Sequence, residues 1–581
     1  MQKKIFILLL FYTQSALTYV GAQTNIVSTN LTAEQVLLGN YNPATYLATN
    51  IIMHPDSISR GINKRVSPDS LHAYLTALKS FENRNTGSDT ISTIRGIGAA
   101  RKWAFKKFHQ FSVQNQNRLI PSYLQFDLAI CGINQHKDIF AVLPGTDTSD
   151  KSVVIIEGHL DSRCAGLCDT SCLAEGMEDN GSGSALVLEL ARVMSKYSYK
   201  NSIVFLLTIS EEQGLYGAEA FANYALQKGI TLKAVLNNDV IGGVICGNTS
   251  SPPSCPGAGN IDSTHVRLFS YGGFNSFHKG LARFIKLEYK ELIKPIAEVT
   301  MTLNVMTPED RTGRGGDHIP FRMKNFTTMR FTSANENGDA NVTAPNYTDR
   351  QHTSADILGV DTNSDSVLDS FFVDFNYLAR NAVINGNAAG MAAIGPKTPD
   401  FTMTSPAGVN IIITITNQTQ YLNYRVGLRT LTYDWDSVYT FVGDVIDTIK
   451  VPAGNYIASV ASVDNKGVES LFSKELMLNV TTGLQEQNLN KKSFELLQNK
   501  PNPSDEATTI SVHVYKLMNY KDAYICIKDL WGKEIKKMPI TLKEGVNEVE
   551  YNHGYHVSGT FIYTLVIDGK SLQSKKMIFA N

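Results

Sequence analysis

The spacing of hydrophobic and polar positions changes several times along the chain. Residues 23–60 are polar and weakly patterned. Between about Ser67 and Gln110 apolar residues recur at helical spacing, first Leu71, Leu75, Leu78 and Phe81, then Ile97, Ala100, Trp103, Ala104 and Phe108. Two helices follow from this, punctuated by Asn83-Arg84-Asn85-Thr86-Gly87. From 137 to 240 short apolar runs alternate with helical stretches. Asp138–Leu143, Ser152–Gly158, Ser202–Ser210 and Leu232–Asp239 read as strands, and Ser184–Ser195 and Ala218–Lys228 as helices. Runs such as Val153-Val154-Ile155-Ile156 are apolar on both faces. Such strands belong to a largely parallel sheet sandwiched by helices, an α/β fold. A helix is expected from Val367 to about Val383, and this domain is bounded at about 390–395.

Beyond 400 the texture becomes all-β. Asn410–Thr416, Tyr421–Leu428, Ser437–Val442 and Asn455–Val463 predict one small sandwich over 401–480. A polar linker, 481–493, leads to a second module at 494–581, with strands at Ile510–Val514, Ala523–Ile527 and Phe561–Ile567.

At 581 residues the chain is long enough for three or four domains at roughly 150 residues each. Hydrophobic residues make up 43% and charged residues 18%, which is a globular composition and excludes a disordered chain. A formal charge of −1 speaks against a nucleic-acid binder, which usually carries a basic surplus. Internal apolar runs are too short to span a bilayer. At the start, Lys3 and Lys4 precede an apolar stretch ending Val20-Gly21-Ala22, which predicts a signal peptide over 1–22 and an exported protein.

The polar residues of the α/β domain gather at strand ends. His159 and Asp161 follow one strand, Glu211 and Glu212 the next, and Asp239 a third. Asp179 stands just before a helix, and His352 lies in a later loop. A single acid in such a place is usually a helix cap or a solvated turn residue. Five at successive strand ends point to one cleft, because open α/β sheets bind ligands at the carboxyl ends of their strands. Imidazoles with carboxylates suit zinc, and two histidines with several acids can hold two divalent ions if one carboxylate bridges them.

The stretches His159-Leu160-Asp161, Glu178-Asp179-Asn180-Gly181-Ser182-Gly183, Ser210-Glu211-Glu212-Gln213-Gly214 and Asn238-Asp239 together resemble the M28 family of zinc peptidases. So do Gly316-Asp317-His318-Ile319-Pro320-Phe321 and His352-Thr353-Ser354-Ala355-Asp356. The resemblance covers roughly 65–390 and implies a di-zinc aminopeptidase with a phosphorylase/hydrolase-like α/β fold. It implies that Asp179 bridges two zinc ions, that His159 and Asp239 complete one site, and that Glu212 and His352 complete the other. Glu211 becomes the general base and acid, and Asp161 the carboxylate that orients His159. Asp356 is expected to do the same for His352, and His318 to help hold substrate or intermediate. The implied activity is removal of N-terminal residues from peptides. A glutaminyl cyclase or a carboxypeptidase or dipeptidase of the same fold is the enzyme alternative, and a surface adhesion protein with an idle peptidase domain the non-enzyme one.

Residues 401–480 resemble a fibronectin type III domain through Tyr456–Val460 and Val463-Asp464-Asn465-Lys466-Gly467. Residues 494–581 resemble a type IX secretion sorting domain through Leu497-Gln498-Asn499-Lys500-Pro501-Asn502-Pro503 and the basic finish Lys575-Lys576-Met577. The second resemblance implies the type IX machinery as a partner and an extracellular or outer-surface location in a Gram-negative bacterium. Of the seven cysteines, Cys164, Cys168 and Cys172 are expected to form a disulfide within their loop. Cys246 and Cys255 are expected to close another, and Cys131 and Cys526 to be buried thiols.

Overall fold

The computed structural model describes residues 22–246, 259–311, 314–334, 350–405, 410–481, 493–504, 507–517, 519–553 and 559–579. Two compact units emerge. One takes in the chain up to Met403 together with Ile412–Asp447 and Ile457–Met477; the other holds Thr404–Ile411, Thr448–Tyr456 and Leu478–Asn581. The expected signal peptide falls almost wholly outside the described residues, as does Cys255. Among the described residues no helix is long and apolar enough to cross a membrane.

The first unit is built on a nine-stranded sheet: β1 (Thr24–Ser28), β2 (Ile120–Ile130), β3 (Ile133–Leu143), β4 (Val153–His159), β5 (Ser202–Thr208), β6 (Leu232–Asn238), β7 (His265–Phe269), β8 (Thr302–Val305) and β9 (Thr328–Ser333). Their order across the sheet is β1-β2-β3-β5-β4-β6-β9-β7-β8. Strands β5, β4, β6 and β9 run parallel, as do β7 and β8. Strands β1, β2 and β3 pair antiparallel with one another, β3 with β5, and β9 with β7. The sheet is therefore mixed, with a parallel centre, where the sequence predicted a largely parallel one. The difference comes from β2, whose alternating burial marks a half-exposed strand. It turns back directly into β3 at Cys131 and Gly132, both at positive φ.

Helices cover the sheet, with α1 (Leu31–Leu37), α2 (Pro55–Arg65), α3 (Pro68–Lys79), α4 (Gly96–Gln114), α5 (Gly183–Met194), α6 (Tyr216–Lys228), α7 (Phe277–Glu288), α8 (His318–Met323) and α9 (Phe375–Ile394). The apolar stripe read from Leu71 to Phe108 becomes α3 and α4. The first of these starts on a Ser67 side chain that accepts the Ser70 N–H at 3.2 Å, with Pro68 in the first turn. The last helix begins eight residues later than predicted, because Ser370-Phe371 is taken into a hairpin with Gly359-Val360 and Asp374 then caps the helix through Tyr377 N.

The core is apolar on both faces of the central strands. Val153 to Ile156 and Ile203 to Leu207 are wholly buried. The strand Asn423–Arg429 belongs to the same unit and pairs antiparallel with Ser437–Val442 and with residues 457–463. This β segment is joined to α7 by buried charge. Glu475 accepts from Arg283 at 2.7 Å and from Arg429 at 2.7 and 2.8 Å, and Trp435 packs on Phe472 with ring centroids 4.1 Å apart. The second unit contains two facing sets of strands. One holds Phe494–Leu496, Ala507–Val514 and Gly545–Asn552. The other holds Ala523–Asp529, Glu534–Pro539, Gly559–Ile567 and Lys570–Phe579. Ile510, Val512, Ile525, Leu565 and Met577 fill the space between them. These strands give the C-terminal part of the chain the all-β texture expected from the sequence.

Glu475 pairs with both Arg283 and Arg429, so its loss leaves two buried guanidinium groups without their shared carboxylate. The variant Glu475→Ala is expected to lose about 3–5 kcal/mol of stability in chemical denaturation. A loss under about 1 kcal/mol would mean that the pair is solvated.

Candidate metal centre

Three adjacent parallel strands bring the chemistry together. In the order β5-β4-β6, His159 ends β4 opposite Thr208 of β5. Glu211 and Glu212 stand just beyond β5, and Asp239 just beyond β6. Asp179 enters from the loop before α5. That loop is anchored to the end of β6 by Asn180, whose Nδ2 donates to Asn238 O at 2.8 Å and whose Oδ1 accepts from Gly183 N at 2.9 Å. Gly183 is required here: a Cβ would lie 2.2 Å from Asn238 O.

Asp179 sits between the two histidines. Its Oδ1 is 3.2 Å from His159 Nε2, and its Oδ2 is 3.0 Å from His352 Nε2. Asp239 Oδ1 is 3.4 Å from His159 Nε2, and Glu212 Oε2 is 3.2 Å from His352 Nε2. Two groups of ligand-type atoms result, His159–Asp179–Asp239 and Asp179–Glu212–His352, and all five side chains are buried. These are the five residues expected as ligands, and Asp179 belongs to both groups. Glu211 Oε2 lies 3.9 Å from His159 Nε2, beside the first group.

The donor set fits zinc. Buried His159 Nε2, Asp239 Oδ1 and Glu212 Oε1 have no hydrogen-bond partner within the protein, a costly arrangement unless a cation takes their lone pairs. The electrostatics agree. Burial alone would lower the His159 pKa, but Glu211, Asp161, Asp179 and Asp239 together hold it well above its ordinary value. Burial would raise Asp179, yet the two histidines hold it well below the carboxylate range. Burial would likewise raise Asp239, and Arg330 and His159 lower it. Glu211 is pushed up to about 8, chiefly by burial, with His159 opposing and Asp239, Glu212 and Asp179 adding. Bound cations would draw it down again.

The supporting roles differ in part from those expected. Asp161 does approach His159 Nδ1, by its main-chain oxygen at 3.1 Å and its carboxylate at 3.5 Å. The same carboxylate accepts from Glu211 N and Glu212 N, each at 3.3 Å, and so fixes the turn that carries both acids. Asp356 was expected beside His352. Its carboxylate instead accepts from Glu178 N at 2.9 Å and Asp179 N at 3.0 Å, holding the loop of the shared aspartate. His318 is buried against Glu309 O at 3.2 Å, with Asp310 at 3.9 Å, and burial drops its pKa to about 4.

Sequence reasoning missed two arginines. Arg330 on β9 pairs with Asp239 Oδ2 at 2.9 Å and with Asp310 at 3.2 Å. Arg163 reaches Glu212 and His352, each at 2.7 Å. The loop that carries Arg163 is clipped by Cys164–Cys172, a bridge within the loop whose pairing the sequence left open, and by Cys131–Cys168. Cys131 is thus not a buried thiol: the β2–β3 turn brings it over the loop. Cys526 is buried and free, as expected.

Comparison with known proteins follows the same lines. The model of peptidase family M28 matches residues 138–370. A probable zinc metalloprotease of Pyrenophora tritici-repentis (strain Pt-1C-BFP) is 30% identical over 360 residues, covering 59% of this chain and 78% of the relative. One from Phaeosphaeria nodorum (strain SN15) is 28% identical over 461 residues, covering 72% of this chain and 87% of the relative. Among solved structures, the LapA aminopeptidase of Legionella pneumophila is 18% identical with a TM-score of 0.42, over 58% of this chain and 74% of that one. The sequence relatives are fungal, which overturns the expected location at the surface of, or outside, a Gram-negative bacterium. They lend no support to the fibronectin type III and type IX sorting resemblances. With a relative this similar over most of its length, and the family's match lying across β3 to the loop of His352, the chain belongs to peptidase family M28.

Proposed function

We propose that the chain is an exopeptidase that removes N-terminal residues from peptides with two zinc ions per molecule. One observation carries this reading: the Asp179 carboxylate faces His159 with one oxygen and His352 with the other, so a single buried group belongs to two ligand sets. His159 and Asp239 would hold one ion, Glu212 and His352 the other, and Asp179 both. Bound zinc would polarise the scissile carbonyl and acidify the attacking water.

The remaining chemistry falls to the chain itself. Glu211 stands beside the His159 group without belonging to either ligand set, so its carboxylate is free to take a proton. It accepts one from the attacking water as the new C–O bond forms. It returns that proton to the nitrogen of the leaving amine as the C–N bond breaks. Asp161 keeps Glu211 in place through the backbone N–H at 3.3 Å. The burial of the cluster keeps bulk water from competing for these protons and strengthens each charge interaction.

A mixture of peptides with free and N-acetylated amines, incubated with the purified zinc-loaded chain, tests the substrate class. Stepwise loss of first residues from the free-amine peptides alone is expected; equal trimming of the acetylated set would overturn the aminopeptidase reading. For Glu211→Gln, turnover is expected to fall by at least about 100-fold, the lower range for a general base, with zinc content unchanged by metal analysis. Near-normal turnover would remove Glu211 from the mechanism. Because His159 holds a proton that ligation must displace, zinc binding is expected to release protons near pH 7, and apparent affinity to fall as the pH is lowered. Calorimetry in two buffers of different ionisation enthalpy checks this, and a buffer-independent heat would contradict it.

A further inference from the structure

The β segment of the first unit meets the helices of the sheet across a joint rich in charge. At most points each carboxylate has a cation of its own. Glu475 meets Arg283 and Arg429, Asp434 meets Lys286 at 2.5 Å, and Asp464 meets Lys200 at 3.2 Å. One point is out of balance. Glu288 ends α7, Glu291 stands in the helical turn Tyr289–Ile293 that follows, and the β segment brings Arg425 and Glu469 against them. Three carboxylates there share one guanidinium.

Arg425 divides its donors unevenly. It grips the exposed Glu291 with Nη2 at 2.6 Å and Nη1 at 3.1 Å, and Nη1 also lies 2.9 Å from Glu469 Oε1. The Glu469 side chain is only 5% exposed, and its other oxygen, Oε2, is buried without a hydrogen-bond partner. Glu288 is buried beside it. Water can answer the charge of Glu291, but not that of the two buried acids, whose joint ionisation is costly. A metal ion does not fit the gap: among the described residues, only the two groups at the metal centre bring three ligand-type atoms close enough for one. A proton does fit. Burial pushes Glu469 up to about 7, with Arg425 opposing and Glu291 adding. Burial also holds Glu288 well above its ordinary value, with Glu469 and Glu291 adding and Arg425 opposing. Helices α2 and α9 pack on the same turn, and neither adds a charged group to those acting on the two acids.

We propose that Glu288 and Glu469 form a proton-operated latch, which seats the β segment on α7 while the pair is protonated and loosens it as the pair ionises. The sign follows from the direction of the shifts. Carboxyls whose proton affinity is raised by folding favour the closed joint at acid pH, and that gain is lost as the pH rises from the ordinary carboxylate range through about 7. The latch lies in the joint and is independent of the metal reading.

Hydrogen exchange on the full chain, read by mass spectrometry from pH 5.5 to 8.5, tests this. The unfolded chain at each pH serves as reference, so the ratio reports opening of the joint. In the wild type, protection of Asn423–Arg429 and of 457–463 is expected to fall by at least about tenfold over this range, as for one carboxyl that ionises on opening. Glu288→Gln and Glu469→Gln each replace an acid by a neutral amide of the same shape. Both are expected to match the wild type at pH 5.5 and to lose less protection as the pH rises, and the double variant to lose almost none. A constant protection in the wild type overturns the inference. So does a fall of wild-type size in both single variants, or a protection lowered equally at every pH, which would mean that the acids only pack.

Discussion

The structure turns on a carboxylate, Asp179, buried where two histidines meet three further acids. Charges of one sign this close and this far from water repel strongly and are expensive to desolvate. The histidines and Arg330 answer part of that cost, and buried carboxylate oxygens of Asp239 and Glu212 without a hydrogen-bond partner mark where more positive charge belongs. Two divalent cations sharing Asp179 would resolve the imbalance. Membership of the M28 peptidases supplies the chemical context in which such an imbalance is useful.

Holding repelling groups together requires a rigid frame, and the fold supplies it mainly through main-chain amides. Asp161 grips the N–H groups of Glu211 and Glu212, and Asp356 those of Glu178 and Asp179. Asn180 ties the Asp179 loop to the end of β6. Arg84 in turn donates to the carbonyls of Leu160 and Gly176, bracketing the loop that follows β4. Glu212 and Asp179 are thus held through their backbone N–H groups.

Three candidate ligands, His159, Glu212 and Asp239, were legible in sequence because each stands at or just beyond the end of an apolar run, whereas Asp179 and His352 came from the motifs that resemble the M28 family. One acid at a strand end is ordinary, but parallel strands place their carboxyl ends together, so several acids there converge. The arginines were not legible. Arg330 lies 91 residues from Asp239 and Arg163 189 residues from His352, so no local pattern links them. Asp356 shows the same limit: its nearness in sequence to His352 suggested one partner, and the fold gave it the backbone of Asp179, 177 residues away. Cys131 looked like a core thiol in its strand until the β2–β3 turn carried it to Cys168. The sheet's antiparallel flank escaped notice because β2, with its alternating pattern, lies outside the stretch where the buried runs stand out.

The claim that Asp179 is shared is tested most directly by anomalous diffraction at the zinc edge from crystals of the zinc-loaded chain. The account predicts two peaks about 3.5–4 Å apart, one against His159 and Asp239 and one against Glu212 and His352, with the Asp179 carboxylate between them. A single peak, or two peaks of which Asp179 touches only one, would contradict it.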